Sequence, residues 1–287
     1  ARERHFGKAA IKLGITQPSL SGAIQQLEQN LGVMLINRGS RFQNLTTEGE
    51  EVLAWALRIT ADARTMKAQI QSKSSGLSGT LVIGAIPTAI PTVPEISNIF
   101  LKRHPNVKLK LLSLNSNEIL GALERFEIDV GMTYLSKEPV RKLINVPFYS
   151  EKYCLITPTE NLTSRKKTMS WGDAAKLRLC LLTPDMQNRR ILNQRFLQEG
   201  ISIVPTLETN SLIALFTHIQ TARWSSILPL SLIRALKFEK DIAIIPMLDS
   251  QTRYEVGLIA LNRDPNTPVI TAFFKEARAM VKVPKEK

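Results

Sequence analysis

The stretch Phe6-Gly7-Lys8-Ala9-Ala10-Ile11-Lys12-Leu13-Gly14-Ile15-Thr16-Gln17-Pro18-Ser19-Leu20-Ser21 decides how this chain is read. Phe6, Ala9, Ala10 and Leu13 recur at i, i+3, i+4 and i+7, one apolar face of a helix. Gly14 supplies the left-handed residue that ends it. Thr16 can cap a second helix, with Pro18 in the first turn, where no amide bond is lost. Leu20, Ile24, Leu27 and Leu31 then form an inward stripe. Gln17, Ser21, Gly22 and Gln25 share the opposite face and carry no large apolar group. Two helices joined by a few residues around a glycine make a helix-turn-helix.

Downstream the period changes. Val33-Met34-Leu35-Ile36, a turn around Gly39, and Phe42 to Leu45 read as a two-stranded wing carrying Arg38 and Arg41. Thr47-x-x-Glu50 is a capping box for the next helix, with Thr46 a competing cap. In that helix, read over 47–71, Val52, Ala56, Ile59, Ala63, Met66 and Ile70 follow one another at spacings of 4, 3, 4, 3 and 4. A seam of period 3.5 suits pairing of two such helices, although the same stripe would serve a helix lying on its own domain. Ser72 to Gly79 has the composition of a flexible linker.

Beyond it, strands and helices alternate: Leu81–Ala85, Val93–Arg103, Val107–Leu111, Asn117–Arg125 and Ile128–Met132. The alternation resumes with Tyr153–Ile156, Leu179–Leu182, Ile191–Gln198, Leu212–His218, Ser226–Leu228 and Tyr254–Leu261, and a helix over Val269–Val281 closes it. Such repetition implies a parallel sheet with right-handed crossovers. No nucleotide fingerprint interrupts it, which suggests two small lobes around a cleft.

The 287 residues carry 38 basic and 25 acidic side chains, a net +13 that favours polyanionic partners. Residues 1–71 hold nine basic and six acidic residues, so most of the excess lies in the α/β zone, where it suits an anionic small ligand. No apolar run reaches the ~18 residues that span a bilayer, and the first residues lead into an amphipathic segment. Cys154 and Cys180, each in an apolar stretch, read as reduced thiols in a cytoplasm.

The segment from Phe6 to Ser21 resembles the DNA-binding core of LysR-type transcriptional regulators. The similarity continues through Ile24, Leu27-Glu28, Leu31-Gly32-Val33, Leu35, Arg38, Arg41 and Leu45-Thr46-x-x-Gly49. It resumes at Gly84, His104-Pro105-Asn106-Val107, Ile128-Asp129-Val130-Gly131 and Arg223-Trp224-Ser225-Ser226-Ile227-Leu228-Pro229. The resemblance implies an all-α winged helix-turn-helix and a long linker helix, followed by a two-lobed α/β effector domain like a periplasmic binding protein. Boundaries are expected at 1–46 for the winged domain, 47–72 for the dimerisation helix and 73–79 for the hinge. One lobe is expected over 80–157 and 262–287, the other over 158–261. Two departures stand out. The family's further helix before Phe6 is absent, so the winged domain reads as N-terminally incomplete. Gly22 replaces a residue that is basic in many members.

For DNA, Gln17 can pair with adenine, Ser21 can reach a base or phosphate, and Pro18 can touch a thymine methyl; Gln25 lies beside them. Arg38 and Arg41 would hold phosphates, which position without reading sequence. For an effector, ligands sit beyond the carboxyl ends of strands, which selects Thr88, Thr133 and Thr183. The resemblance adds Asn210 and Arg223.

Catalysis finds no support. His5, His104 and His218 have no paired metal spacing, the cysteines have no C-x-x-C partner, and neither G-x-S-x-G nor a Walker loop occurs. No cofactor or metal is expected. The expected partners are a double-stranded operator, a small, anionic effector, a dimer of dimers of this chain and RNA polymerase, with no membrane. The alternative is a two-lobed small-molecule-binding protein that an incomplete N-terminal domain leaves without DNA binding.

Overall fold

The computed structural model describes residues 1–37, 44–135, 142–162, 167–236, 238, 241–248 and 254–282. Its contacts divide the chain into two compact units, Ala1–Met66 and Lys67–Lys287.

In the first unit α1 spans Phe6–Leu13 and α2 spans Gln17–Leu31. The His5 ring caps α1 by accepting the Lys8 amide at 3.2 Å. Gly14 ends it at φ 68°, a backbone conformation that a side chain would strain, and the amide of Ile15 returns to the Ala10 carbonyl. Thr16 caps α2 through its hydroxyl, 3.3 Å from the Ser19 amide. The wing is present as a short antiparallel contact, with Ile36 bridged to Leu45 and the Asn37 amide on the Asn44 carbonyl at 3.0 Å. Its tip, with Arg38 and Arg41, lies outside the described residues.

The helix after the wing, α3, spans Thr47–Ser75. Its cap is Thr46: the hydroxyl accepts the Gly49 amide at 2.9 Å and donates to the Met34 carbonyl at 2.6 Å. The competing cap prevails because it serves helix and wing at once. Gly49 permits this closeness, since a Cβ there would stand 2.0 Å from the Leu35 carbonyl oxygen. The helix also runs past the expected hinge start at 73, leaving only 76–78 before the next strand.

The second unit opens with β1 (Gly79–Ala85), a 3-10 turn over Pro87–Thr92, α4 (Val93–Arg103), β2 (Val107–Ser113), α5 (Ser116–Glu124) and β3 (Val130–Tyr134). β4 (Leu143–Glu151) and β5 (Tyr153–Pro158) follow, then α6 (Trp171–Ala175), β6 (Cys180–Leu182), α7 (Gln187–Gln198), β7 (Leu207–Thr209) and α8 (Leu212–Gln220). β8 (Ser226–Pro229), α9 (Leu230–Ala235), β9 (Ile242–Pro246), β10 (Tyr254–Leu261) and α10 (Pro268–Lys282) complete it.

One lobe is built on the sheet β2-β1-β3-β10-β4, the other on β8-β5-β9 together with the parallel pair β6-β7. A bridge between Leu179 and Ser225 joins the last two groups. Apolar burial drives each lobe. Phe100 and Phe273 meet edge-on at 5.1 Å under the first sheet, and Trp171 and Phe196 do so at 5.1 Å in the second.

The expectation of a parallel sheet needs correction. β2, β1 and β3 are parallel, but β10 runs antiparallel to both β3 and β4, and β5 antiparallel to β8 and β9. β10 returns from the second lobe and so enters the first sheet in the opposite direction. The lobe boundaries move for the same reason. β5, expected in the first lobe, pairs in the second; β10, expected in the second, pairs in the first.

Candidate functional site

Two surfaces hold the residues that the sequence singles out. On the first unit, Gln17, Pro18, Gly22 and Gln25 are exposed on α2 and Ser21 is half-buried, so one side of the helix presents short polar groups. Glu28, on the inner side, is buried and accepts the amide of Leu35 at 2.9 Å, tying α2 to the wing. The expected apolar stripe is only half covered within this unit: Leu13, Leu27 and Leu31 remain 63%, 42% and 47% exposed. Along α3, Ile59, Met66 and Ile70 of the seam are more than half exposed, Ala56 and Ala63 are exposed as well, and Val52 is half-buried.

The second surface is the cleft between the two lobes. Ile86, Pro87, Thr88, Asn115, Ser116 and Tyr134 line it from one lobe, and Leu182, Met186, Gln187 and Asn188 from the other. The space between these walls is about 220 Å³ when the open solvent at its mouth is included.

Each wall is set by a local feature. Thr88 lies on the 3-10 turn after β1, is buried, and leaves its hydroxyl without a hydrogen-bond partner. Asn115 and Glu118 form a capping box at the start of α5 that already occupies the first amides there. α7 differs: its N-cap is Met186, whose side chain accepts nothing, so the helix starts without a side-chain cap where Met186, Gln187 and Asn188 line the cleft. Asn188 is buried there with its carbonyl oxygen unpaired. Arg189 is turned away, holding the Leu182 carbonyl at 2.8 Å and Glu208 at 2.6 Å, which fixes α7 against β6 and β7.

Behind the walls lies a buried acid. Oε2 of Glu151 accepts the hydroxyls of Tyr134 at 2.7 Å and Tyr153 at 2.9 Å. Burial pushes the Glu151 carboxyl up to about 7, against the downward pull of the two hydroxyl donors. Burial and that neighbouring carboxylate hold both tyrosines well above their ordinary value.

Of the effector candidates, Thr88 lines the cleft. Thr133 is buried one step behind it, donating to Ser116 at 3.0 Å. Thr183 follows β6 with a buried, unpaired hydroxyl. Asn210 and Arg223 are exposed and are not among the lining residues, and Ser211 caps α8 beside Asn210. Tyr134 follows the Ile128 strand beside Thr133, where the sequence places ligands, but Glu151 and Asn188 escaped the sequence reading, because only the fold brings them to it. Among the described residues no group of three or more His, Cys, Asp or Glu is placed to hold a metal, and no helix is long and apolar enough to cross a membrane.

Residues 1–50 match the model of the bacterial regulatory helix-turn-helix proteins of the LysR family, and residues 74–282 match that of the LysR substrate binding domain. The chain belongs to the LysR family. This family member is similar to the DNA-binding transcriptional dual regulator OxyR of Escherichia coli, 25% identical over 281 residues, 98% of this chain and 91% of that one. The same match in another Escherichia coli strain is called a hydrogen peroxide-inducible genes activator. A full-length OxyR variant from Pseudomonas aeruginosa shares the fold with a TM-score of 0.75 at 21% identity, over 96% of this chain and 93% of that one. Full-length CbnR in complex with its target DNA does so with a TM-score of 0.65 at 22% identity, over 96% and 93%. The LysR-family chain is a DNA-binding transcriptional regulator with an effector-binding domain.

Proposed function

We propose that this regulator reads an operator through Gln17, Pro18, Ser21 and Gln25 on α2, steadied by Arg38 and Arg41 on phosphates, and answers to a small polar effector in the interlobe cleft. The cleft reading is carried by Thr88: a buried hydroxyl without a partner, on the wall of a cavity between two lobes, costs stability unless something pairs with it. The uncapped start of α7 opposite suits an anionic group on that effector. The exposed seam of α3 supports pairing of protomers along Val52, Ala56, Ile59, Ala63, Met66 and Ile70; the family resemblance extends the reading to a dimer of dimers and a cytoplasmic regulator in contact with RNA polymerase. Two recognition helices placed near one helical turn apart call for a roughly two-fold symmetric operator. The reading is of a sensor rather than an enzyme, in keeping with the transcriptional regulators that the chain is similar to.

The match of residues 1–50 to the family's helix-turn-helix model favours this over a ligand-binding protein without DNA activity. A peroxide response of the kind named for the Escherichia coli relative is not carried over. Oxidation by peroxide needs a thiolate that attacks the peroxide oxygen, and here Cys154 and Cys180 are buried, with the Cys180 thiol pushed up to about 11. Selection of duplexes from a random pool by the full chain tests the DNA reading. An enriched, two-fold symmetric motif is expected; retention without enrichment of any sequence would contradict it.

A further inference from the structure

Glu151 ends β4 and Tyr153 opens β5, so the single residue Lys152 carries the chain from one lobe's sheet to the other's. At that crossing the Glu151 carboxylate gathers groups from both lobes. Tyr134, at the end of β3 and on the cleft wall, donates to Oε2 from the first lobe, and Tyr153 donates from the second. Their two hydroxyl oxygens lie 3.2 Å apart, and the Tyr153 hydroxyl also accepts from Asn188, on the opposite wall, at 3.4 Å. Oε1 is buried with no hydrogen-bond partner. A charge there is solvated on one oxygen only, whereas a neutral carboxyl group bears no such cost.

We propose that Glu151 is a proton-linked clasp between the lobes: its protonation favours the shut cleft, and its ionisation favours lobes that part and let water reach it. The titratable and charged groups around it are Tyr134 from β3, Tyr153 from β5, Tyr149 and Lys152 along its own chain, and Tyr254 from β10. Tyr254 pairs in register with Glu151 and stands edge-on to Tyr153; Arg195 of α7 lies over the Tyr254 ring at 6.0 Å. Burial comes first among the causes that set the Glu151 ionisation, followed by the two hydroxyls, and it places the carboxyl near 7 in the shut form. A hydrated carboxyl in parted lobes returns toward 4.5. Between those values the ratio of shut to parted forms falls by up to about tenfold per pH unit. Any effect on effector affinity rests on the cleft reading above. The clasp is tested without effector, so the two fail separately.

Spin labels on Lys102→Cys in one lobe and Lys176→Cys in the other report the lobe separation in the full chain, labelled protein being diluted into unlabelled. Between about pH 5 and 8.5 the distance distribution is expected to lengthen, with a midpoint near neutrality. Glu151→Gln is expected to hold the acid-side distribution throughout. Tyr134→Phe removes a donor that holds the carboxylate within the shut form, so the lobes are expected to part at lower pH in this variant. A wild-type distribution that stays fixed across the range, a titration that survives in Glu151→Gln, or an unmoved midpoint in Tyr134→Phe would each overturn the proposal.

Discussion

Oε1 of Glu28, on α2, accepts the Leu35 amide at 2.9 Å and lies 3.4 Å from the Ile36 amide, so one carboxylate joins α2 to the first strand of the wing. In the proposed reading, helix and wing address the duplex together, one at base edges and the other at phosphates. Hydrogen bonds to a charged acceptor are worth about 1.5–3 kcal/mol, and leaving buried amides unpaired adds to the loss. Glu28→Ala is therefore expected to destabilise the first unit by roughly 2–4 kcal/mol in denaturant titrations and to weaken binding to specific and random duplexes alike. Glu28→Gln retains a carbonyl acceptor and should recover part of that loss. Equal losses in the two variants would show that the negative charge, rather than the presence of an acceptor, is what matters.

The DNA face divides in the same way. Arg38→Ala should reduce affinity for all sequences and lower the slope of log affinity against log salt by about one. Gln25→Ala or Gln17→Ala should cost ~1–3 kcal/mol at the selected operator and little on random DNA. Titrations at two salt concentrations on both duplexes distinguish these outcomes. Gln17 starts from a folded-back position, its carboxamide oxygen 3.3 Å from where a Cβ on Gly7 would stand. Gln25→Ala is therefore expected to give the cleaner loss.

Stability should depend on pH through Glu151. Its folded-state value, about 7, lies above the ordinary 4.5, so between those values the folded chain keeps a proton that the unfolded chain has released. Stability is highest below about pH 4.5 as far as this group is concerned, falls as pH rises to about 7, and is level above that. At about 1.36 kcal/mol per unit the total is on the order of 3 kcal/mol. Denaturant midpoints at about pH 5 and 8 measure it. Glu151→Gln is expected to flatten the profile and to exceed the wild type at pH 8; an identical slope in the variant would assign the dependence to other groups.

What the sequence makes legible is what neighbours along the chain decide. Gly14, Thr16 and Pro18 mark the turn and the start of α2, and Pro105 accounts for an end of α4 at Arg103 that matches the structure. Thr88 was within reach because strand ends in parallel sheets point at ligands. β4 was not, since Pro147 interrupts it and the pairing with β10 shifts register between Val256 and Gly257, a pattern suited to an edge strand. The lobe assignments of β5 and β10 depend on partners about a hundred residues away, which no local period reports. Asn210 and Arg223 are polar residues at loop positions, yet the cleft is finished instead by Tyr134 and Asn188, whose convergence exists only after the lobes fold.

Thr88 offers the sharpest separation between a structural and a binding role. Its side chain is 2% exposed and its hydroxyl has no partner, so Thr88→Val replaces a buried polar atom with an apolar one of similar shape. Where a hydroxyl is only a packing unit without a bond, that exchange is neutral or stabilising by about 1 kcal/mol. Where it also contacts a ligand, the same exchange weakens binding, because the ligand group that it met is left unpaired. The variant is therefore expected to melt at or slightly above the wild-type temperature and to lose about 10-fold or more in affinity for whatever small molecule shifts the wild-type melting point in a screen of carboxylates and neutral polyols. A marked fall in melting temperature would instead mean that the hydroxyl is held by bonds within the protein. Unchanged ligand affinity would move the effector away from this wall of the cleft.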